Sequence, residues 1–171
     1  CRLVIAQKNP LAEALGVTLK FESNKDNKEQ AYLSLKQSNL SPGSLPPSEY
    51  AVPSDPKWLK VLIEKIIDIA IFLVSEQPNA TVNLSLNKDE DQNIIVLINA
   101  APVELKGVEK EDLMKQYYGS LMSKTNLRLG SGLEGFIAKI ISSNLNVLLD
   151  MQVDKNILSI KFQINKFVTS R

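Results

Sequence analysis

The stretch from Leu59 to Val74 constrains the fold most. Apolar residues recur at Leu59, Leu62, Ile63, Ile66, Ile67, Ala70, Ile71 and Val74. That is the spacing of a helix face. Ile69 and Leu73 widen the stripe until little of the circumference is left polar. Such a helix must be covered on most sides by other elements. Asp55 can cap it, Pro56 suits its first turn, and Pro78 and Asn79 end it. It is no membrane span, because the apolar run from Ile66 to Val74 is short and broken by Asp68.

The rest of the chain supplies the cover. Val82, Leu84 and Leu86 alternate with Asn83 and Ser85, as in a half-buried strand. A charged turn over Asn87 to Asn93 leads into Ile94-Ile95-Val96-Leu97-Ile98, which reads as a strand buried on both faces. A second hairpin joins Val147–Val153 to Leu158–Ile164 around Asp154-Lys155-Asn156. Upstream, Asn9 to Leu15 reads as a short helix stopped by Gly16, and Val17 to Glu22 as a strand. Ala31 to Leu35 reads as a short strand, and Ser41 to Pro56, with its five prolines, as an extended connector. Val108 to Tyr118 reads as a helix and Gly119 to Arg128 as a polar loop. Hairpins demand antiparallel pairing, and the helices need one sheet face to bury against. The expectation is a single domain of α+β class, a two-layer α/β sandwich. Residues 1–55 form its leading helix, strand and connector, and 56–171 its main body.

Composition removes several function classes. Lys plus Arg total 20 against 19 Asp plus Glu, so no charge excess points to nucleic acid. There is no His, which excludes Ser-His-Asp and Cys-His catalysis, His metal sites and a phosphohistidine on this segment. The one Cys rules out an internal disulfide and a Cys-rich zinc site, and fits a reducing compartment. A chain that opens on Cys1 rather than Met reads as part of something longer. A lipid-bearing Cys1 is the less favoured alternative.

Gly130-Ser131-Gly132-Leu133-Glu134-Gly135 feeds directly into Phe136-Ile137-Ala138-Lys139-Ile140-Ile141. A glycine turn opening a helix offers free amides and a positive dipole end to an anion. It also serves merely to turn a chain. The element order, with this Gly-x-Gly-Leu turn before the last helix and hairpin, resembles the ATP-binding catalytic domain of sensor histidine kinases. That domain belongs to the Bergerat class, and the likeness runs from Leu11 to Phe167. It implies a mixed, mostly antiparallel sheet with helices on one face. The activity it implies is transfer of the ATP γ-phosphate to a His elsewhere, with Mg as cofactor. The setting it implies is two-component signalling in the cytoplasm. The partners would be other domains of the same sensor and a response regulator, with no contact to nucleic acid or membrane from this segment.

The resemblance also locates four nucleotide boxes. The family helix pattern Asn-Leu-Leu-x-Asn-Ala falls on Lys65-Ile66-Ile67-Asp68-Ile69-Ala70, so both Asn positions are lost. The second of these would hold the magnesium, and isoleucine offers no oxygen to a hard cation. Asp-x-Gly-x-Gly falls on Asn99-Ala100-Ala101-Pro102-Val103, which keeps a carbonyl oxygen at Asn99 but neither glycine. Tyr117 and Tyr118 would stand for the Phe-rich box, and Gly119 to Leu129 for the lid. Gly130, Gly132 and Leu133 match the last box, where Glu134 replaces the third glycine, and Lys139 matches a frequent family Lys. A carboxylate there repels a triphosphate.

The candidate nucleotide-binding residues are therefore Asn99, Gly130, Gly132, Leu133 and Lys139, with no catalytic residue and no metal ligand assigned. Asn99 reads either as the adenine partner or as a strand-end turn former. Lys124 and Arg128 read as solvated charges before phosphate ligands. Asp68 and Glu64 read as exposed helix acids before a metal pair. Trp58 and Tyr50 read as buried before a docking surface. The pattern predicts a degenerate, pseudokinase-like domain that binds ATP weakly or not at all. A non-catalytic interaction module of the same fold and a competent kinase are the alternatives.

Overall fold

The computed structural model describes residues 1–23, 55–91, 93–104 and 133–165. Eight elements follow in chain order: α1 (Arg2–Ala14), β1 (Thr18–Ser23), α2 (Pro56–Val74), β2 (Thr81–Lys88), β3 (Ile94–Ala101), α3 (Glu134–Asn144), β4 (Val147–Asp154) and β5 (Ile157–Ile164). The strands form one five-stranded sheet in the order β1-β2-β3-β5-β4. β1 runs parallel to β2, and every other pair is antiparallel. The sheet is thus mixed and mostly antiparallel. The predicted strand at 31–35, the proline-rich connector before Asp55, the helix at 108–118 and the loop at 119–128 lie outside the described residues.

α2 is the axis of the core. Asp55 caps it as the sequence indicates: its Oδ1 accepts from the backbone N–H of Lys57 at 2.8 Å and of Trp58 at 3.3 Å, and Pro56 follows at the first turn. Ten of its residues are buried, Leu62, Ile66, Ile67 and Ile71 completely. It packs on β2 and β3 and is flanked by α1 and α3. Across the sheet, Phe21, Leu84, Ile98, Ile160 and Met151 stand in one register row facing this layer. Phe162, Leu158 and Leu84 are fully buried beneath it.

Two expectations are corrected here. β3 is not buried on both faces. Its residues alternate, with Ile94, Val96, Ile98 and Ala100 buried and Ile95, Leu97, Asn99 and Ala101 half-buried on the other side. Among the described residues, the helix layer covers the side of Ile94, Val96, Ile98 and Ala100. Likewise α1 begins at Arg2, not Asn9, and carries Pro10 inside it. Val4 and Ala12 lie on one stripe eight residues apart and are both buried. That burial holds the helix through a proline that local rules would place at a helix start.

The end of α1 is as local chemistry predicts. The Val17 N–H donates to Ala12 O at 2.8 Å and the Gly16 N–H to Glu13 O at 3.0 Å. Gly16 sits at φ +70° between them. This is a Schellman closure, with Val17 packed back toward Ala12. The β4–β5 hairpin turns on Lys155 and Asn156, both at positive φ, the type I′ geometry that matches strand twist.

Candidate nucleotide site

The resemblance puts the site where α2, the end of β3 and the start of α3 approach one another. On α2, Ile69 is 5% exposed and belongs to the apolar core. No oxygen is supplied at that position. Asp68, one residue before it, is 6% exposed. This overturns the reading of Asp68 as an exposed helix acid. Lys8 of α1 reaches across to it, with its Nζ 2.6 Å from Oδ1 and 2.9 Å from Oδ2. Only the Oδ2 contact has hydrogen-bond alignment, which leaves Oδ1 held by charge alone.

Burial pushes the Asp68 carboxyl above the ordinary value. The Lys8 hydrogen bond and charge, and the Lys65 charge, pull it down, and Glu134 at the start of α3 pushes it up. Burial prevails, since removing a carboxylate from water disfavours its charged form. The groups around Asp68 thus come from each helix of the layer: Lys8 from α1, Lys65 from α2 and Glu134 from α3.

On β3, Asn99 lies between Ile98 and Ala100, both fully buried toward the helices. Strand alternation therefore turns Asn99 to the opposite face. Its Oδ1 accepts from the Ser159 hydroxyl at 2.8 Å. It stands inside the strand, not at a turn, in a polar row with Lys20, Asn83, Ser159 and Gln152. Two residues beyond the strand, Val103 is 2% exposed, and its N–H donates to Asn156 O at 2.8 Å in the β4–β5 turn. A buried isopropyl group fills the place where the family pattern has a glycine.

At the start of α3, Leu133 is the N-cap residue and gives no side-chain cap. Glu134 puts a carboxylate in the first turn, which the helix dipole favours. Gly135 is buried, and Lys139 is exposed one turn further along, on the solvent side. Gly130, Gly132, Tyr117, Tyr118, Lys124, Arg128 and Tyr50 lie outside the described residues. Trp58 is 55% exposed, against the expectation of burial. Of the five candidate nucleotide residues, Leu133 and Lys139 share α3's first turns, while Asn99 is on the far face of the sheet.

At three described positions where the resemblance sets a nucleotide box, the side chains are neither the family's Asn nor its glycines. Ile69 and Val103 are buried hydrocarbon, and Glu134 is an anion. Among the described residues, no three Asp, Glu or Cys side chains converge as a metal site would require. Among the same residues, no helix is long and apolar enough to cross a membrane. The Lys8–Asp68 pair went unread in the sequence, although a signal for it exists. Lys8 falls midway on the Val4–Ala12 stripe, and Asp68 interrupts an otherwise apolar run.

No protein-family profile matches the sequence, and no curated protein does. Solved structures do match. The catalytic domain of histidine kinase ThkA, in a nucleotide-free form, aligns with TM-score 0.64 at 15% identity over 96% of this chain and 89% of that one. The mycobacterial sensor histidine kinase MprB aligns with TM-score 0.59 at 12% identity over 95% and 92%. The Acinetobacter baumannii histidine kinase AdeS aligns with TM-score 0.60 at 14% identity over 96% and 61%. The likeness spans nearly the whole chain, and the mixed sheet with its helix layer is common to them. The chain therefore has the HATPase-like fold of histidine kinase catalytic domains.

Proposed function

We propose that this chain is the catalytic-domain-like module of a cytoplasmic sensor histidine kinase, with nucleotide boxes so degenerate that ATP binds weakly or not at all. The observation that carries this reading is Ile69, an apolar core residue where the family motif sets its magnesium-holding Asn. Val103 and Glu134 support it from β3's end and α3's start. Gly130, Gly132, Leu133 and Lys139 are then remnants of a phosphate cradle, and Asn99 a sheet residue. The role left to such a module is contact with other domains of its sensor or with a response regulator. Solved relatives of this fold are histidine kinases, and full-length ShkA, similar over 95% of this chain with TM-score 0.60, has been seen with AMPPNP. Nucleotide binding is therefore the property to measure.

Calorimetry at millimolar ATP, with and without magnesium, is expected to give no heat of binding. A fluorescent ATP analogue is expected to stay free at micromolar protein. Micromolar binding in either assay refutes the proposal and restores the competent-kinase reading. The double change Ile69→Asn with Glu134→Gly is expected to raise affinity in the same assays.

A further inference from the structure

The α1–α2 junction sets an ion pair, Lys8 with Asp68, beside the apolar core. α2 buries ten residues, whereas α1 buries Val4 and Ala12. α1 packs against β1, an edge strand of the described sheet, and against α2. Pro10 lacks an N–H, so one backbone bond inside α1 is missing. Arg2 lies 5.7 Å from the Phe21 ring centroid and adds a cation–π contact to β1. At the centre of the junction is an ion pair, Lys8 with Asp68, whose side chains are 20% and 8% exposed. An apolar junction gains nothing from water when it opens. An ion pair does, because both charges recover their hydration, and this offsets much of the attraction lost. Such a pair therefore costs less to part than its short contacts suggest.

We propose that α1 is a strap, an element that opens as a unit while the sheet, α2 and α3 remain folded, and that the Lys8–Asp68 pair sets where it seats on α2. The released form uncovers the α2 flank that bears Asp68. This inference rests on the packing of α1 and stands whether or not the domain binds nucleotide. Proteins open in such cooperative pieces, the least embedded first.

Native-state hydrogen exchange on the full chain tests it. In low urea, the amides of α1 are expected to exchange at least tenfold faster than those of β3 and β5. Lys8→Met, which leaves Asp68 without its cation, is expected to speed α1 roughly a hundredfold, with the β3 and β5 rates unchanged. The double change Lys8→Met with Asp68→Leu makes the junction apolar and is expected to slow α1 below the wild-type rate. If α1 and the central strands exchange together in the wild type, there is no strap. If Lys8→Met leaves α1 unchanged, or the double variant stays as fast as the single one, the ion pair does not seat it. Because the wild-type measurement needs no variant, a single variant that fails to fold does not rescue the idea.

Discussion

Ile69→Asn puts the reading of the site at risk through stability alone, before any nucleotide is added. Ile69 is 5% exposed within the apolar core. Losing the burial of an Ile side chain costs about 2 kcal/mol. An amide left there without partners costs about 2 kcal/mol more. The sum, about 4 kcal/mol, is a large part of the 5–15 kcal/mol typical of a folded domain. With a urea dependence of about 2 kcal/mol per molar, the unfolding midpoint should fall by about 2 M. Circular dichroism reports the unfolding, and Trp58, the one tryptophan, reports α2. Ile69→Val, which trims one methylene and leaves no polar group, should cost about 1 kcal/mol. If Ile69→Asn costs no more than Ile69→Val, the side chain at 69 opens into a polar cleft. The argument that a ligand position has become core then fails, and with it the main support for a degenerate site.

Two further outcomes follow from local chemistry. Asp55→Ala removes the acceptor for two α2 amides and should lower stability by about 1 kcal/mol, while Asp55→Ser should retain most of it, both read by urea unfolding. Asp68 has a raised pKa in the folded state, so the native protein takes up its proton more readily than the unfolded chain. The stability it confers is fully present below the ordinary carboxylate value and is lost as pH rises through the folded value. Measured against Asp68→Asn, the wild type should therefore gain relative stability as pH is lowered from neutral toward the carboxylate range. A difference that is flat or of opposite slope would mean that Lys8 outweighs burial.

The elements legible in the sequence were those fixed by short-range rules. Asp55-Pro56 marked the start of α2, Gly16 the end of α1, and Asp154-Lys155-Asn156 the β4–β5 turn, because caps and turns are chosen within a few residues. The misreadings all needed to know what lay opposite. Pro10 hides the first half of α1, since burial of Val4 and Ala12 against the rest of the fold holds that helix together. The unbroken apolar run in β3 suggests cover on both faces, but the described helices lie on one. The direction of Asn99, which no short-range rule gives, is set by the pleat. Asp68 reads as solvated in the sequence because acids on helices usually are. Its burial depends on Lys8, sixty residues earlier in the chain.

On the proposed reading, the same contrast explains how such a frame outlasts a ligand site. A domain that has stopped binding a ligand must fill the room that the ligand and its polar grip would occupy. At the two positions where the resemblance sets an Asn and a Gly, this chain carries Ile69 and Val103, exposed 5% and 2%. Each buried side chain of this kind contributes about 2 kcal/mol to folding. Each also removes an oxygen or a close backbone approach that a metal-bound phosphate or a base would use. At those positions, the proposed loss of ligand chemistry and the gain of core are one substitution. Glu134 works in the same direction, because it satisfies the positive end of α3 with an internal anion where an external one would bind. On the proposed reading, restoring polar groups singly must first cost the stability that their replacement added.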